Sequence, residues 1–153
     1  MNPEHHRLFI RMASLALSCL VVFAFAEMLA ANPHPNRALD VVRLGREFKL
    51  NSGRQVTVKG TKLRIRFIAV ENDSRCPRDV TCVWAGNAAV QLQLGTGKGS
   101  KTVTLNTSKS ASFVSEIEYH GYKVKLVDLS PYPRSDRKIA PRDYTATLLV
   151  SKE

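Results

Sequence analysis

Histidine and cysteine are scarce in this 153-residue chain, and their scarcity narrows its chemistry. Beyond residue 31 only His34 and His120 remain, one in an irregular lead-in between Pro33 and Pro35, the other in the turn-like pair His120-Gly121. A zinc centre built on imidazoles, or a nucleophile relayed through histidine, has almost nothing to work with. Ser74 and Ser130 lie outside any G-x-S-x-G setting, and the three cysteines, Cys19, Cys76 and Cys82, form no C-x-x-C pair. The run Gly95-Thr96-Gly97-Lys98-Gly99-Ser100 is glycine-rich but is not a Walker sequence. No helical pattern follows it, so it reads as a flexible hairpin connection. Glu116 and Glu118 would share one strand face, yet a glycosidase needs a sugar-sized cleft that a small one-core domain rarely supplies, so they read as a solvated edge. Sustained helical periodicity is missing after residue 31. No catalytic residue and no cofactor site emerges from this inventory.

The first 31 residues read as an export signal. Arg7 and Arg11 precede the apolar run 12–26, and Ala24-Phe25-Ala26 offers a small-x-small cleavage site before Glu27, with a second possible cut after Ala31. The run is shorter than the roughly 20 residues that span a bilayer. Ala16-Leu17-Ser18 before Cys19 lacks the order of a lipidation site, which leaves Cys76 and Cys82 as an even pair for an oxidising compartment. The expected localisation is periplasmic or secreted. The formal net charge is +10, and because Glu4 and Glu27 cancel Arg7 and Arg11, the whole excess belongs to the remainder. It favours anionic surfaces as partners, although charge alone speaks to encounter and gives no reason to expect specific nucleic-acid recognition.

Residues 38–153 are enough for a single domain with one core. Period-two alternation recurs along them. Val42, Leu44, Phe48 and Leu50 share a parity, with an irregularity at Gly45-Arg46, and Asn51-Ser52-Gly53 reads as a turn before Val56 and Val58. In 62–70, Leu63, Ile65, Phe67 and Ala69 face one way and Lys62, Arg64 and Arg66 the other. Further strands are expected at 101–106, around Ile117 and Tyr119, through Tyr122, Val124 and Leu126, and over 143–150 with Tyr144, Ala146, Leu148 and Val150 inward. Residues 134–142, bracketed by prolines, read as an exposed loop. Seven to nine short strands with Gly, Pro and Asn turns predict an all-β fold, an antiparallel β-sandwich in preference to a small β-barrel.

The chain is organised around residues 71–86, ENDSRCPRDVTCVWAG. Cys76 and Cys82 flank a turn begun by Pro77, and a disulfide closing so short a loop stabilises by roughly 2 kcal/mol on the loop-entropy model. The even positions Val80, Cys82 and Trp84, followed by Ala88, Val90, Leu92 and Leu94, predict an inward strand face interrupted at Gly86-Asn87, with Trp84 packed beside the disulfide. Glu71, Asp73 and Asp79 are hard oxygen donors and hence candidate metal ligands, but they fit no EF-hand spacing, and Arg75 and Arg78 stand among them to neutralise them.

The stretch Asp73-Ser74-Arg75-Cys76-Pro77 followed by Cys82-Val83-Trp84-Ala85-Gly86 resembles a motif, DSRCP and then C-x-W-x-G, of uncharacterised bacterial exported proteins and lipoproteins. The resemblance covers about fifteen residues closely and implies export and architecture; it carries no catalytic residues. The function expected is a non-enzymatic exported domain binding a partner protein or an anionic envelope component. Its candidate anion-binding residues are Arg64, Arg66, Lys123 and Lys125. Two other readings stand beside it. One is inhibition of an exported protease by the loop 131–141; the other is a metal-dependent hydrolase at Glu71, Asp73 and Asp79.

Overall fold

Alternation of apolar and polar side chains becomes nine strands in the computed structural model, which describes residues 40–97, 99–108 and 112–153. The export signal expected over 1–31, with its cleavage sites, lies outside the described residues. The strands are β1 (Asp40–Val42), β2 (Glu47–Asn51), β3 (Gln55–Val58), β4 (Arg64–Asp73), β5 (Ala88–Thr96), β6 (Gly99–Asn106), β7 (Glu116–Tyr119), β8 (Tyr122–Ser130) and β9 (Thr145–Lys152). Among the described residues the only helical element is the single 3-10 turn Pro141–Asp143.

The strands form two sheets, a five-stranded one in the order β1-β3-β4-β5-β6 and a four-stranded one in the order β2-β9-β8-β7. All pairings are antiparallel except β1 with β3. Neither sheet closes on itself, so the fold is sandwich-like and not a barrel. One apolar cluster joins the inner faces: Val58, Ile65, Phe67, Val90 and Leu92 come from the first sheet, and Leu50, Val124, Leu148 and Val150 from the second. Each is essentially excluded from water, which is worth about 1.5–3 kcal/mol per large aliphatic or aromatic side chain before chain entropy is charged against it.

Two departures from simple alternation matter. Residues 42–50 do not form one strand. Gly45 takes φ 72° and donates its N–H to the Val150 carbonyl at 2.8 Å, so the chain leaves β1 in one sheet and enters β2 in the other. In β4 a register shift between Phe67 and Ala69 reverses the parity. Ala69 pairs with outward Gln91, and Val70 is the residue packed against the core, contrary to the inward place expected for Ala69. His120 and Gly121, at φ 51° and 77°, make the two-residue hairpin turn that joins β7 to β8.

Candidate functional site

The β4–β5 connection, residues 74–87, is a braced loop. Arg75 is its anchor, the one buried charged residue among the described residues, at 5% exposure. Its Nε donates to Asp73 Oδ1 at 2.8 Å and its Nη2 to Asp73 Oδ2 at 2.6 Å. The same guanidinium donates to the Pro131 carbonyl at 3.0 Å and to that of Leu129. Tyr144 completes the cluster by donating its hydroxyl to Asp73 Oδ2 at 3.1 Å. Burial alone would raise the Asp73 carboxyl, but the hydrogen bonds and charge of Arg75, with the Tyr144 hydroxyl, outweigh it and hold the group below its ordinary 3.8. The Tyr144 phenol is pushed up to about 12 by burial and by the Asp73 charge.

Above this cluster, the loop is fastened to residues 131–135. Tyr132 meets both the Arg75 and the Arg78 guanidinium, whose carbons are 4.8 and 4.9 Å from its ring centre. The Arg78 amide donates to the Pro133 carbonyl at 3.0 Å. Asp79 accepts from the Ser135 amide at 3.0 Å and from its hydroxyl, and these donors hold its carboxyl below the usual range. Cys76 and Cys82 are joined, with Cα atoms 5.9 Å apart. The Ser74 and Cys76 amides donate to the Asn87 and Ala85 carbonyls. Gly86, at φ 71°, passes so close to this backbone that a β-carbon would lie 1.9 Å from the Ser74 carbonyl oxygen.

Trp84 is not packed inward. It is 82% exposed and Val83 is 90% exposed, and the strand begins only at Ala88. The reason is the occupant of the space beneath the loop: the Arg75 guanidinium with its carboxylate and carbonyl partners fills it, leaving the tip of the loop to solvent. The three candidate metal ligands also separate. Asp73 pairs with Arg75 and Asp79 with Ser135. Glu71, on the outer face of β4, accepts from Gln91 Nε2 at 2.9 Å and Thr104 Oγ1 at 3.2 Å. Among the described residues no three His, Cys, Asp or Glu side chains converge on a metal site. Within the loop 131–141 a bridge between Arg134 and Arg137 closes a tight turn, and Ile139 packs against the core.

The four candidate anion-binding cations fall into two unlike settings. Lys123 and Lys125 stand on β8 in the four-stranded sheet, 3.6 and 3.8 Å from the Glu116 carboxylate. Arg64 and Arg66 stand on β4 in the five-stranded sheet and take part in no ion pair among the described residues. The four do not make one patch.

Around Arg64 and Arg66 the register builds a platform. One row across four strands reads Gln55, Arg66, Gln93, Thr102; the next reads Thr57, Arg64, Gly95, Ser100. Strands β3, β5 and β6 contain no Asp or Glu; on β4 the Glu71 carboxylate, held by Gln91 and Thr104, lies one row beyond Gln93 and Thr102, and Asp73 is turned to Arg75. Gly95 lies directly beside the arginine, where a β-carbon would be in ordinary contact with Arg64 Nε at 4.0 Å. At Gly97 a β-carbon would meet the Lys62 stem at 3.7 Å. Since neighbouring strands lie about 4.8 Å apart and same-face residues about 7 Å apart along a strand, the surface is a grid of guanidiniums, amides and hydroxyls. Single-strand alternation found its two arginines; Gln55, Gln93 and Thr102 join them only through pairing of distant strands.

No protein-family model, no curated protein and no solved structure matches this chain. Among the described residues no helix is long and apolar enough to cross a membrane.

Proposed function

We propose that the protein is an exported, non-enzymatic binding domain that holds a linear polyanion of the cell envelope on the outer face of its five-stranded sheet. The observation that carries this reading is the pair of rows without a carboxylate, on which Arg64 and Arg66 have no acidic partner among the described residues while Lys123 and Lys125 stand beside Glu116. Guanidinium forks suit carboxylate, sulfate or phosphate groups, and the flanking amides and hydroxyls supply neutral hydrogen bonds to the groups between them. An open sheet face suits an extended polymer better than a small molecule, which binds in an enclosing cleft. Export is supported by the Cys76–Cys82 disulfide, by the signal-like residues 1–31 and by the resemblance of residues 73–86 to the exported-protein motif.

The test is a binding comparison on alginate, a carboxylated polysaccharide, with uncharged dextran as control. Retention on alginate alone, weakened in Arg64→Gln/Arg66→Gln and unchanged in Lys123→Gln/Lys125→Gln, is the expected pattern. Equal retention on dextran, or equal loss in both double variants, would count against the platform.

A further inference from the structure

The loop that carries Trp84 is built with more internal support than its length requires, and what it supports is exposed. Asp73, Arg75, the two cysteines and Gly86 each have an internal role: a buried ion pair, a covalent closure, and a contact with no room for a side chain. Ser74 closes the loop base through its hydroxyl, 3.0 Å from the Asn87 carbonyl. Trp84 has no such role. Together with Val83 it forms an apolar tip that the braced loop holds in solvent.

We propose that this tip inserts into the headgroup region of a membrane rich in anionic lipid. Indole prefers that layer, where its ring is apolar on its faces and its N–H stays hydrated. Charge complements the choice. The turn fastened to the loop through Asp79 and Ser135 carries Arg134, Arg137 and Lys138, against two carboxylates, Asp136 within the turn and Asp79 bound to it, while Arg78 adds a further cation on the loop. Each cation held near anionic headgroups raises affinity by about fivefold. A protein partner suits the tip less well. Trp84 and Val83 expose on the order of 300 Å², well short of the roughly 800 Å² per side of a stable protein interface, whereas a bilayer sets no such minimum. Rigidity serves insertion, since a loop already ordered loses little entropy when it enters the lipid. This inference rests on the loop and its neighbouring turn, and stands or falls separately from the polyanion platform.

Trp84 is the only tryptophan, so its fluorescence reports the tip alone. Protein recovered from the cells that export it is mixed with vesicles of phosphatidylglycerol and phosphatidylcholine in equal parts, or of phosphatidylcholine alone. The expected result is a blue shift with the anionic vesicles only, quenched by brominated lipid and kept in Arg64→Gln/Arg66→Gln. In co-sedimentation, Trp84→Ala is expected to weaken binding at least about tenfold, and Arg137→Gln/Lys138→Gln severalfold, with alginate retention unaltered in both. Absence of a shift, or Trp84→Ala sedimenting like the parent, would overturn insertion. An equal shift with neutral vesicles would overturn the part assigned to the cations.

Discussion

Replacing Arg75 by methionine is the most informative single change in the fold. The substitution keeps a long apolar stem while removing the charge, and three groups lose their partner at once: the Asp73 carboxylate and the carbonyls of Leu129 and Pro131. The two side chains of the pair are 4% and 9% exposed, so water does not readily replace what is lost. The carboxylate retains the Tyr144 hydroxyl at 3.1 Å and the residue-75 amide at 3.2 Å, which compensate in part. Breaking one side of a buried pair costs about 3–5 kcal/mol, a large share of the 5–15 kcal/mol that separates folded from unfolded states in a domain of this kind. Urea denaturation of the oxidised protein at neutral pH measures it directly. A companion variant, Asp73→Asn/Arg75→Met, removes the stranded charge and is expected to recover about half of the loss. The same cluster fixes the sign of an acid dependence. Because Asp73 titrates below its ordinary 3.8 when folded, its contribution is complete above that pH and disappears as pH falls through the lower folded value. Asp73→Asn is therefore expected to flatten the fall in stability below that pH. An Arg75→Met loss under about 1 kcal/mol, or no recovery in the double variant, would refute the assignment of Arg75 as the anchor.

Other outcomes follow from the loop. Gly86→Ala places a β-carbon on the Ser74 carbonyl and forces a positive φ on a side-chain-bearing residue, so a loss of roughly 2 kcal/mol or more is expected in the same denaturation assay; a neutral result would show that the loop backbone can move freely. Reducing the Cys76–Cys82 bond is expected to cost about 2 kcal/mol while leaving one cooperative transition, because the disulfide closes a loop within one connection and ties no two strands together. Loss of the transition on reduction would show that the core depends on the staple.

The strand inventory and the inward positions of β5, β8 and β9 were legible because their apolar residues fall at every second place and end up in the core. Local pattern failed where the backbone departs from period two. The sheet change at Gly45 and the parity reversal after Phe67 both depend on one residue's conformation, which alternation does not encode. It also failed at residues 80–86, where Val80, Cys82 and Trp84 alternate as a strand would. The competing fact is that Arg75 finds its partners at Asp73, Leu129, Pro131 and Tyr132, up to 57 positions away, and takes the buried place. The platform was half legible. Arg64 and Arg66 show as a cationic stripe on one strand, but their neutral neighbours belong to the sheet order. Lys123 and Lys125 looked equivalent to them in sequence, and only the β7–β8 pairing that brings Glu116 and Glu118 alongside distinguishes them.

The most direct test of the central claim is the affinity of the protein and of Arg64→Gln/Arg66→Gln for alginate across a salt titration. Two exposed charge contacts are worth about 1–2 kcal/mol together at low salt, so the double variant is expected to bind roughly tenfold more weakly there. The gap should narrow as salt rises, because exposed charges are screened over a few ångströms at high ionic strength. Binding that is insensitive to salt, or a double variant that matches the parent at low salt, would contradict the assignment of this sheet face as the polyanion site.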